Sequence, residues 1–152
     1  MTSATLQPTT SYISVDSLLG GKRVLPVTPL SPLDWVSIIR RGISSSAVDS
    51  LTKFTRISQA ELSAALAIPE RTLTRRKREG TLNSEETAKL IRLARIIERA
   101  EEVFEDFEIA IDWLKSANST LSGATPLSLL DTDIGAESVM DTLGRIEHGI
   151  FA

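Results

Sequence analysis

Arginines recur at helical spacing in the middle of the chain, and their chemistry is that of anion recognition. Arg71, Arg75 and Arg78 occupy positions i, i+4 and i+7 of the segment 69–79, so an α-helix would carry all three on one face. A guanidinium group can donate two hydrogen bonds to O6 and N7 of guanine in the major groove of DNA. The segment therefore predicts a DNA-recognition helix.

Further polar residues border this arginine face. Thr72 and Thr74 have hydroxyl and methyl groups that suit phosphate or the methyl group of thymine. Glu70 lies beside them, and Gln59 begins the preceding predicted helix. We expect these four residues to contact DNA together with the three arginines. Leu73 would point into the domain and anchor the helix.

The arginine face belongs to the second helix of a helix-turn-helix pattern. Residues 58–78 read SQAELSAALAIPERTLTRRKR, in which Ser58 and Glu61 form the S-x-x-E capping box of the first helix. The spacings that the motif requires are occupied by Leu62, Ser63, Leu66 and Ile68. Ala67 departs from the motif because the turn usually has glycine, and Arg76 departs because its position is often apolar. A solvated basic face without a DNA role is the alternative interpretation.

A second line of basic residues follows on the next predicted helix. Its members are Lys89, Arg92, Arg95 and Arg99. They could contact phosphate, but pairing within the helix is the favoured interpretation, for example between Glu85 and Lys89. Arg95 and Glu98 have the same potential to pair.

The composition excludes several classes of site. The 152 residues include no cysteine and a single histidine, His148, which excludes disulfide scaffolds and zinc fingers and disfavours metal sites. We therefore predict no metal and no cofactor. No apolar run reaches the roughly 18 residues of a membrane-spanning helix, and the N-terminus lacks the basic start and apolar core of a signal peptide. We expect a cytoplasmic protein that does not associate with membranes.

Charge is distributed unevenly, although the formal total is only −3. Residues 1–52 contain four basic and three acidic side chains, residues 53–99 contain eleven and six, and residues 100–152 contain two and eleven. The middle of the chain thus favours a polyanion such as nucleic acid, and the end of the chain favours a different partner.

Periodicity predicts an all-α protein from Pro32 onward. Residues 1–31 contain proline and a Gly20-Gly21 pair between short apolar runs, a pattern typical of a loosely ordered arm or a short hairpin. We expect a flexible, partly disordered N-terminal arm. We predict a helix-turn-helix DNA-binding domain over residues 32–100, and a small α-helical domain over residues 101–152.

Apolar stripes and caps predict the individual helices. Val48, Leu51 and Phe54 would share the buried face of the helix before the helix-turn-helix. Asn83 or Ser84 would begin a long helix whose first-turn acids suit the positive end of the helix dipole. A last helix would run from about residue 136 to residue 147.

An acidic stripe marks the last third of the chain. Its carboxylates recur at spacings of four, three and four: Glu101, Glu105, Glu108 and Asp112. They lie on the side of the helix opposite Phe104, Phe107 and Ile111. Such a stripe repels DNA and could dock on a basic protein surface, while a solvated face is the alternative. No nucleophile, metal cluster or second histidine accompanies the carboxylates, so we predict that the chain is not an enzyme.

The last third also carries a family resemblance. It reads F-x-x-F-x-x-A-x-x-W-L-x-x-x-N over residues 104–118 and TPLSLLDTDIGAESVMDTLGRIEHGIFA over residues 125–152. Both segments are similar to the toxin-binding domain of the Xre/MbcA/ParS antitoxin family. The matching residues are Trp113, Leu114, Asn118, Pro126, Leu129, Leu130, Gly135, Val139, Leu143, Arg145, Ile146, Glu147 and Gly149. With the helix-turn-helix upstream, the resemblance covers residues 32–152.

The resemblance implies an antitoxin that holds a RES-domain toxin, a member of a family of NAD-degrading enzymes. In such complexes the C-terminal segment of the antitoxin covers the nucleotide site of the toxin, so that inhibition is steric. Here the segment 145–152 would do so, with apolar anchors and polar contacts at Arg145, Glu147, His148, Ile150 and Phe151. Glu147 could pair with toxin arginines that otherwise bind the phosphates of NAD. His148 can equally be a satisfied surface residue.

The resemblance further implies repression of the protein's own operon through the helix 69–79. A single recognition helix binds weakly, so we expect a homodimer that places two half-sites about 34 Å apart on operator DNA. The alternative is a stand-alone transcriptional regulator whose last third only dimerises or binds a small ligand.

Overall fold

The computed structural model describes residues 13–149, which fold into eight α-helices. These are α1 (Val15–Leu18), α2 (Pro32–Arg41), α3 (Ser46–Thr55), α4 (Gln59–Leu66), α5 (Glu70–Glu79), α6 (Ser84–Phe104), α7 (Phe107–Lys115) and α8 (Asp133–Glu147). Short 3-10 helices occupy Gly21–Arg23, Ser119–Leu121 and Pro126–Leu129. Within 13–149 the one β-type pairing is an isolated bridge between Ser44 and Thr81. The all-α prediction is confirmed for this part of the chain, in which no helix has the length and apolarity needed to cross a membrane.

Side-chain caps determine where several helices begin. Ser58 Oγ accepts a hydrogen bond from the Glu61 N–H at 3.0 Å, and the Glu61 carboxylate accepts one from the Ser58 N–H at 2.9 Å. The hydrogen bond from the Ser58 N–H is the main reason that the pKa of Glu61 is lowered. Ser31 and Asn83 form equivalent capping boxes at the starts of α2 and α6. These caps satisfy N–H groups that the first helical turn leaves without a partner.

The helix α6 is the central element of the fold. Its 21 residues give a length of about 30 Å. The helices α1, α2, α7 and α8 all pack against it, and one continuous hydrophobic core runs along its length. The predicted long helix is confirmed, with Asn83 as its N-cap. The predicted domain boundary, between residues 100 and 101, lies inside this helix.

Residues 13–25 correct the prediction of a loosely ordered arm over residues 1–31. Their buried side chains are Val15, Leu18, Leu19, Val24 and Leu25. The Ile13 N–H donates to the Glu101 carboxylate of α6 at 2.7 Å. The Val15 N–H donates to the Glu98 carboxylate at 3.1 Å. The glycines turn the chain, but the apolar residues around them are sufficient to pack on α3 and α6. Residues 1–12 of the predicted arm lie outside the described residues.

The buried face of α3 is only partly as predicted. Val48 and Leu51 are fully buried, whereas Phe54 is 49% exposed. The buried position is taken by Thr55, which follows Leu51 by four residues and donates its hydroxyl to the Leu51 carbonyl at 2.7 Å. The apolar stripe therefore drifts toward position 55, and Phe54 is left facing solvent.

A close approach of backbone fixes the start of α8. Thr132 Oγ1 accepts a hydrogen bond from the Gly135 N–H at 2.9 Å. A Cβ atom at Gly135 would lie 1.9 Å from the Leu129 carbonyl oxygen, so a larger residue would force the helix away from the preceding turn. Val139 and Leu143 are fully buried and pack α8 against the core. The helix starts at residue 133, slightly earlier than the predicted residue 136.

Candidate nucleic-acid interface and C-terminal surface

The helix α5 turns three of its four arginines toward solvent. The exposed residues of this face are Glu70, Arg71, Thr74, Arg75 and Arg78. Thr72 is half-buried at the edge of the face. Leu73, on the opposite side of the helix, is 1% exposed and belongs to the core. One apolar anchor thus holds a helix whose outer surface is basic and accessible.

A row of polar contacts fixes one edge of this face. Gln59 Nε2, at the start of α4, donates to Thr74 Oγ1 at 3.3 Å, and Lys77 Nζ donates to Gln59 Oε1 at 2.6 Å. Lys77 also forms an ion pair with Asp49 of α3 at 2.7 Å. Sequence reasoning omitted Lys77 and Asp49. Lys77 follows Thr74 by three residues, and this helical spacing predicts that it borders the same face.

The turn of the helix-turn-helix accommodates alanine in a conformation that favours glycine. Ala67 has φ 53° and ψ 45°, in the left-handed region, which costs a non-glycine residue roughly 1–2 kcal/mol. Its N–H donates to the Ala64 carbonyl at 3.3 Å, and the Ile68 N–H donates to the Ser63 carbonyl at 3.1 Å. The turn therefore forms despite the missing glycine.

Arg76 points away from the exposed face and joins α5 to α6. Its Nε donates to the two oxygens of Glu86 at 2.8 and 3.1 Å, and its Nη1 donates to Glu79 at 3.0 Å. The hydrogen bond to Glu86 is the main reason that the pKa of Arg76 is raised. Glu86 is 7% exposed and also accepts the Asn83 N–H at 3.0 Å. A charged residue can replace the usual apolar one because α6 supplies its counter-ion.

The second basic line is used mainly inside the molecule. Lys89 pairs with Glu85 at 3.5 Å, as predicted. Arg92 instead reaches the C-terminal region, where it donates to the Leu130 carbonyl at 3.2 Å and pairs with Asp133 in the first turn of α8. The expected pairing of Arg95 with Glu98 is not among the ion pairs of residues 13–149.

Arg99 holds the other end of α8. Its Nη2 and Nη1 donate to the two carboxylate oxygens of Glu147 at 2.6 and 3.0 Å, a two-pronged geometry that is strong for an ion pair. This contact lowers the pKa of Glu147 and raises that of Arg99. Glu102 accepts a further hydrogen bond from Arg99 at 3.4 Å. Glu147, predicted as a contact for a partner, is thus already bound to an arginine of its own chain.

The remaining predicted contacts gather at the end of α8. Arg145 and His148 are exposed there, next to Glu147. The His148 N–H donates to the Gly144 carbonyl at 3.1 Å and closes the helix. Ile150 and Phe151, the predicted apolar anchors, lie outside the described residues.

The acidic stripe is shorter than predicted. Glu101 is buried and accepts the Ile13 N–H, whereas Glu105, Glu108 and Asp112 are exposed. The helix also breaks at Glu105, whose φ of 56° ends α6. Among residues 13–149, no group of three or more His, Asp or Glu side chains is arranged to hold a metal ion.

Two family models match adjoining parts of the chain. Residues 34–95 match the model described as the antitoxin Xre-like helix-turn-helix domain. Residues 99–149 match the model described as the antitoxin Xre/MbcA/ParS C-terminal toxin-binding domain. The two matched segments meet within α6, which contributes to both.

Named relatives are similar over most of their length. An antitoxin Xre from Yersinia enterocolitica is 37% identical over 119 residues, which are 77% of this chain and 80% of that protein. An antitoxin Xre from Photorhabdus laumondii is 31% identical over 116 residues, or 75% of this chain and 78% of that protein. A Prs ADP-ribosylating antitoxin from Sphingobium is 25% identical over 132 residues, with coverages of 80% and 83%.

Proposed function

Because this chain belongs to the Xre/MbcA/ParS antitoxin family, we propose that its cognate toxin is a RES-domain enzyme that degrades NAD. Membership of the family makes the chain the antitoxin of a toxin–antitoxin system, a regulatory protein rather than an enzyme. The NAD chemistry of the toxin and the way in which it is inhibited are the content of the proposal.

The observation that carries the proposal is the exposed polar end of α8. Arg145 and His148 project from the last turn of the segment that matches a toxin-binding domain. In our proposal this end of α8 and the residues after it, with Ile150 and Phe151 as apolar anchors, cover the nucleotide site of the toxin. The name of the Sphingobium relative refers to ADP-ribosylation, a reaction that consumes NAD, which supports an NAD-using partner.

The geometry of Glu147 sharpens this proposal. A carboxylate that is to pair with arginines of the toxin must either leave Arg99 or share it. In the proposed complex Arg99 first orients the end of α8, and Glu147 exchanges this arginine for one of the toxin when the two proteins meet. Arg99 is therefore a positioning residue in our proposal.

The toxin half of the proposal is tested by measuring NAD consumption by the purified toxin with increasing amounts of antitoxin. Deletion of residues 150–152 and the substitution Glu147→Ala should each raise the concentration of antitoxin that is needed for inhibition. Glu137→Ala is the matched control, because Glu137 is an exposed carboxylate on the same helix, ten residues earlier. Unchanged inhibition by both test variants would exclude the proposed blocking segment, and a toxin that leaves NAD intact would exclude the RES assignment.

We further propose that the chain binds the operator of its own operon as a homodimer. The contacts to DNA would come from Gln59, Glu70, Arg71, Thr72, Thr74, Arg75 and Arg78. Support comes from the match to a helix-turn-helix model and from the accessible arginine face of α5. Two copies are needed because one recognition helix reads only one half-site.

The double substitution of Arg75 and Arg78 by alanine tests this half of the proposal. Binding to an operator duplex, measured by fluorescence anisotropy, should weaken strongly, while inhibition of the toxin should stay unchanged. Loss of both activities would contradict the separation into two surfaces. Analytical ultracentrifugation of the chain on an operator with one or two half-sites measures the proposed dimer, and a single bound copy on the two-site duplex would exclude it.

A further inference from the structure

A groove of about 830 Å³ lies between residues 13–25, which we call the N-terminal segment, and α3. Its walls include Gly20, Gly21, Arg23, Ser46, Asp49 and Lys53. The glycines have φ values of 119° and 63°, so they turn the chain after α1, and the 3-10 helix at residues 21–23 lines the groove together with α3. The groove therefore depends on the part of the chain that the sequence predicted as a loose arm.

The N-terminal wall of the groove is held firmly. Leu18 and Val24, on either side of the glycine turn, are buried in the core. Ser50 Oγ of α3 donates to the Leu18 carbonyl at 3.1 Å. Side chains that project from this turn therefore have a fixed base, and little conformational entropy of the backbone is lost when they bind a ligand.

The groove carries an excess of positive charge. Arg23 and Lys53 are exposed on its two walls, and Lys22 is exposed next to Arg23. Within residues 13–149, no carboxylate lies within 4.0 Å of any of these three cations. The carboxylate of Asp49, which also lines the groove, is paired with Lys77 at 2.7 Å. The available charge is therefore suited to an anion.

Contacts already described place the groove beside the arginine face of α5. Asp49 belongs to the groove and pairs with Lys77, and Lys77 in turn donates to Gln59 at the start of α4 at 2.6 Å. The first helix of a helix-turn-helix crosses the sugar–phosphate backbone when the second helix enters the major groove. The positive groove thus continues, along α3, the surface that would meet the backbone of bound DNA.

We propose that Arg23 and Lys53, with Lys22 at the rim, bind phosphates of operator DNA that flank the bases read by α5. This inference rests on the proposed DNA-binding function. Phosphate contacts fix the register and orientation of a protein on DNA and carry no sequence information directly. The N-terminal segment therefore adds affinity and holds α5 in register, while the arginine face of α5 provides the specificity.

The test compares the double substitution Arg23→Ala and Lys53→Ala with the wild-type chain in salt titrations of DNA binding. Each lost phosphate contact should reduce the slope of log K against log salt concentration by about 0.9, so the double variant should lose about 1.8. The reduction should be equal on the operator duplex and on a duplex of scrambled sequence. Arg95→Ala is the matched control. Arg95 is an exposed arginine of α6, and it shares a helix face with Arg92 and Arg99, which pair with residues of α8.

The conservative pair Arg23→Lys and Lys53→Arg separates a charge contact from a loss of folding. These substitutions keep both cations and should restore most of the salt slope, and thermal melts should be similar for all variants. A slope for the double alanine variant equal to that of Arg95→Ala would overturn the inference. If the Arg75 and Arg78 double alanine variant also binds DNA like the wild type, the proposed DNA-binding function fails as well, so the two failures are distinguishable.

Discussion

Two arginines of α5 and two of α6 have the same chemistry in different surroundings, although Arg75 and Arg76 of α5 pair with Glu79 and Glu86. Arg71 and Arg78 of α5 have no carboxylate within 4.0 Å in the part of the chain that the structure describes. Arg92 and Arg99 of α6 are each paired with an acidic residue of α8. Both sets recur at helical spacing, so spacing alone does not distinguish a binding surface from an internal clamp. The distinction arises from the acid that the fold does or does not bring opposite each arginine.

The ion pairs between α6 and α8 explain part of the negative charge in the last third of the chain. Asp133 and Glu147 contribute to its excess of negative charge, and both compensate arginines of α6. This acidity therefore stabilises the packing of α8 on α6 as well as repelling nucleic acid. Exposed carboxylates such as Glu108 remain available to a basic partner surface.

The largest effect is expected for the anchor of α5. Leu73→Ala should reduce the free energy of unfolding by about 3 kcal/mol, because it opens a cavity under a helix with a single buried apolar side chain. Urea denaturation measures this change. Arg71→Ala, on the exposed face of the same helix, should change it by less than about 0.5 kcal/mol. A loss below about 1 kcal/mol for Leu73→Ala would mean that the pair of Arg76 with Glu86 holds α5 instead.

The second prediction compares the removal of an unpaired arginine of α5 with the removal of a paired arginine of α6. Arg78→Ala should weaken operator binding by about 2 kcal/mol, or roughly 30-fold, with little effect on stability. Arg92→Ala should lower the thermal midpoint, since Asp133 and the Leu130 carbonyl lose their donor, with little effect on operator binding. Anisotropy and calorimetry on both variants measure the four quantities. If Arg92→Ala weakens operator binding as much as Arg78→Ala does, the assignment of DNA binding to α5 and of a structural role to Arg92 is contradicted.

Features that depend on neighbouring residues were predictable from the sequence. The capping box of Ser58 and Glu61 and the exposed face of α5 follow from residue types three or four positions apart. Lys89 pairs with Glu85 for the same reason. Local rules succeed here because the interacting groups are carried by the same helix or turn.

Features that depend on distant residues were not predictable. Arg92 finds Asp133 at a separation of 41 residues, and Arg99 finds Glu147 at a separation of 48. The packing of the N-terminal segment was missed because proline and glycine suggested a loose arm, whereas Glu98 and Glu101 supply acceptors 83 and 88 residues away. A single sequence does not show which helix faces lie opposite one another.

The third prediction concerns the ion pair between Arg99 and Glu147 at the end of α8. The hydrogen bonds from Arg99 lower the pKa of Glu147 below its ordinary value of 4.5. Its contribution to stability is therefore fully present above about pH 4.5, and it is lost as the pH falls through the lowered pKa. Glu147→Gln should lower the thermal midpoint at neutral pH by a few degrees at most, since the pair is exposed to solvent. Melting curves at several pH values should converge with those of the wild type in acid; a difference that persists there would exclude the ionic contribution.

The smallest effect is expected for Glu98, whose carboxylate accepts the Val15 N–H of the N-terminal segment. Its substitution should raise the thermal midpoint, whereas that of Glu147 should lower it. Burial raises the pKa of Glu98 above its ordinary value of 4.5, although the Val15 N–H partly offsets this. The contribution of Glu98 to stability is therefore most favourable below about pH 4.5, and it is lost as the pH rises through the raised pKa. Glu98→Gln keeps an oxygen acceptor for Val15 without a charge, so at neutral pH it should raise the thermal midpoint by about 1 °C, a value discounted for solvent screening. Glu105→Gln, on the exposed end of α6, should leave it unchanged. A lower midpoint for Glu98→Gln would show that the ionised carboxylate holds the N-terminal segment, and the groove beside Arg23 would then depend on that charge.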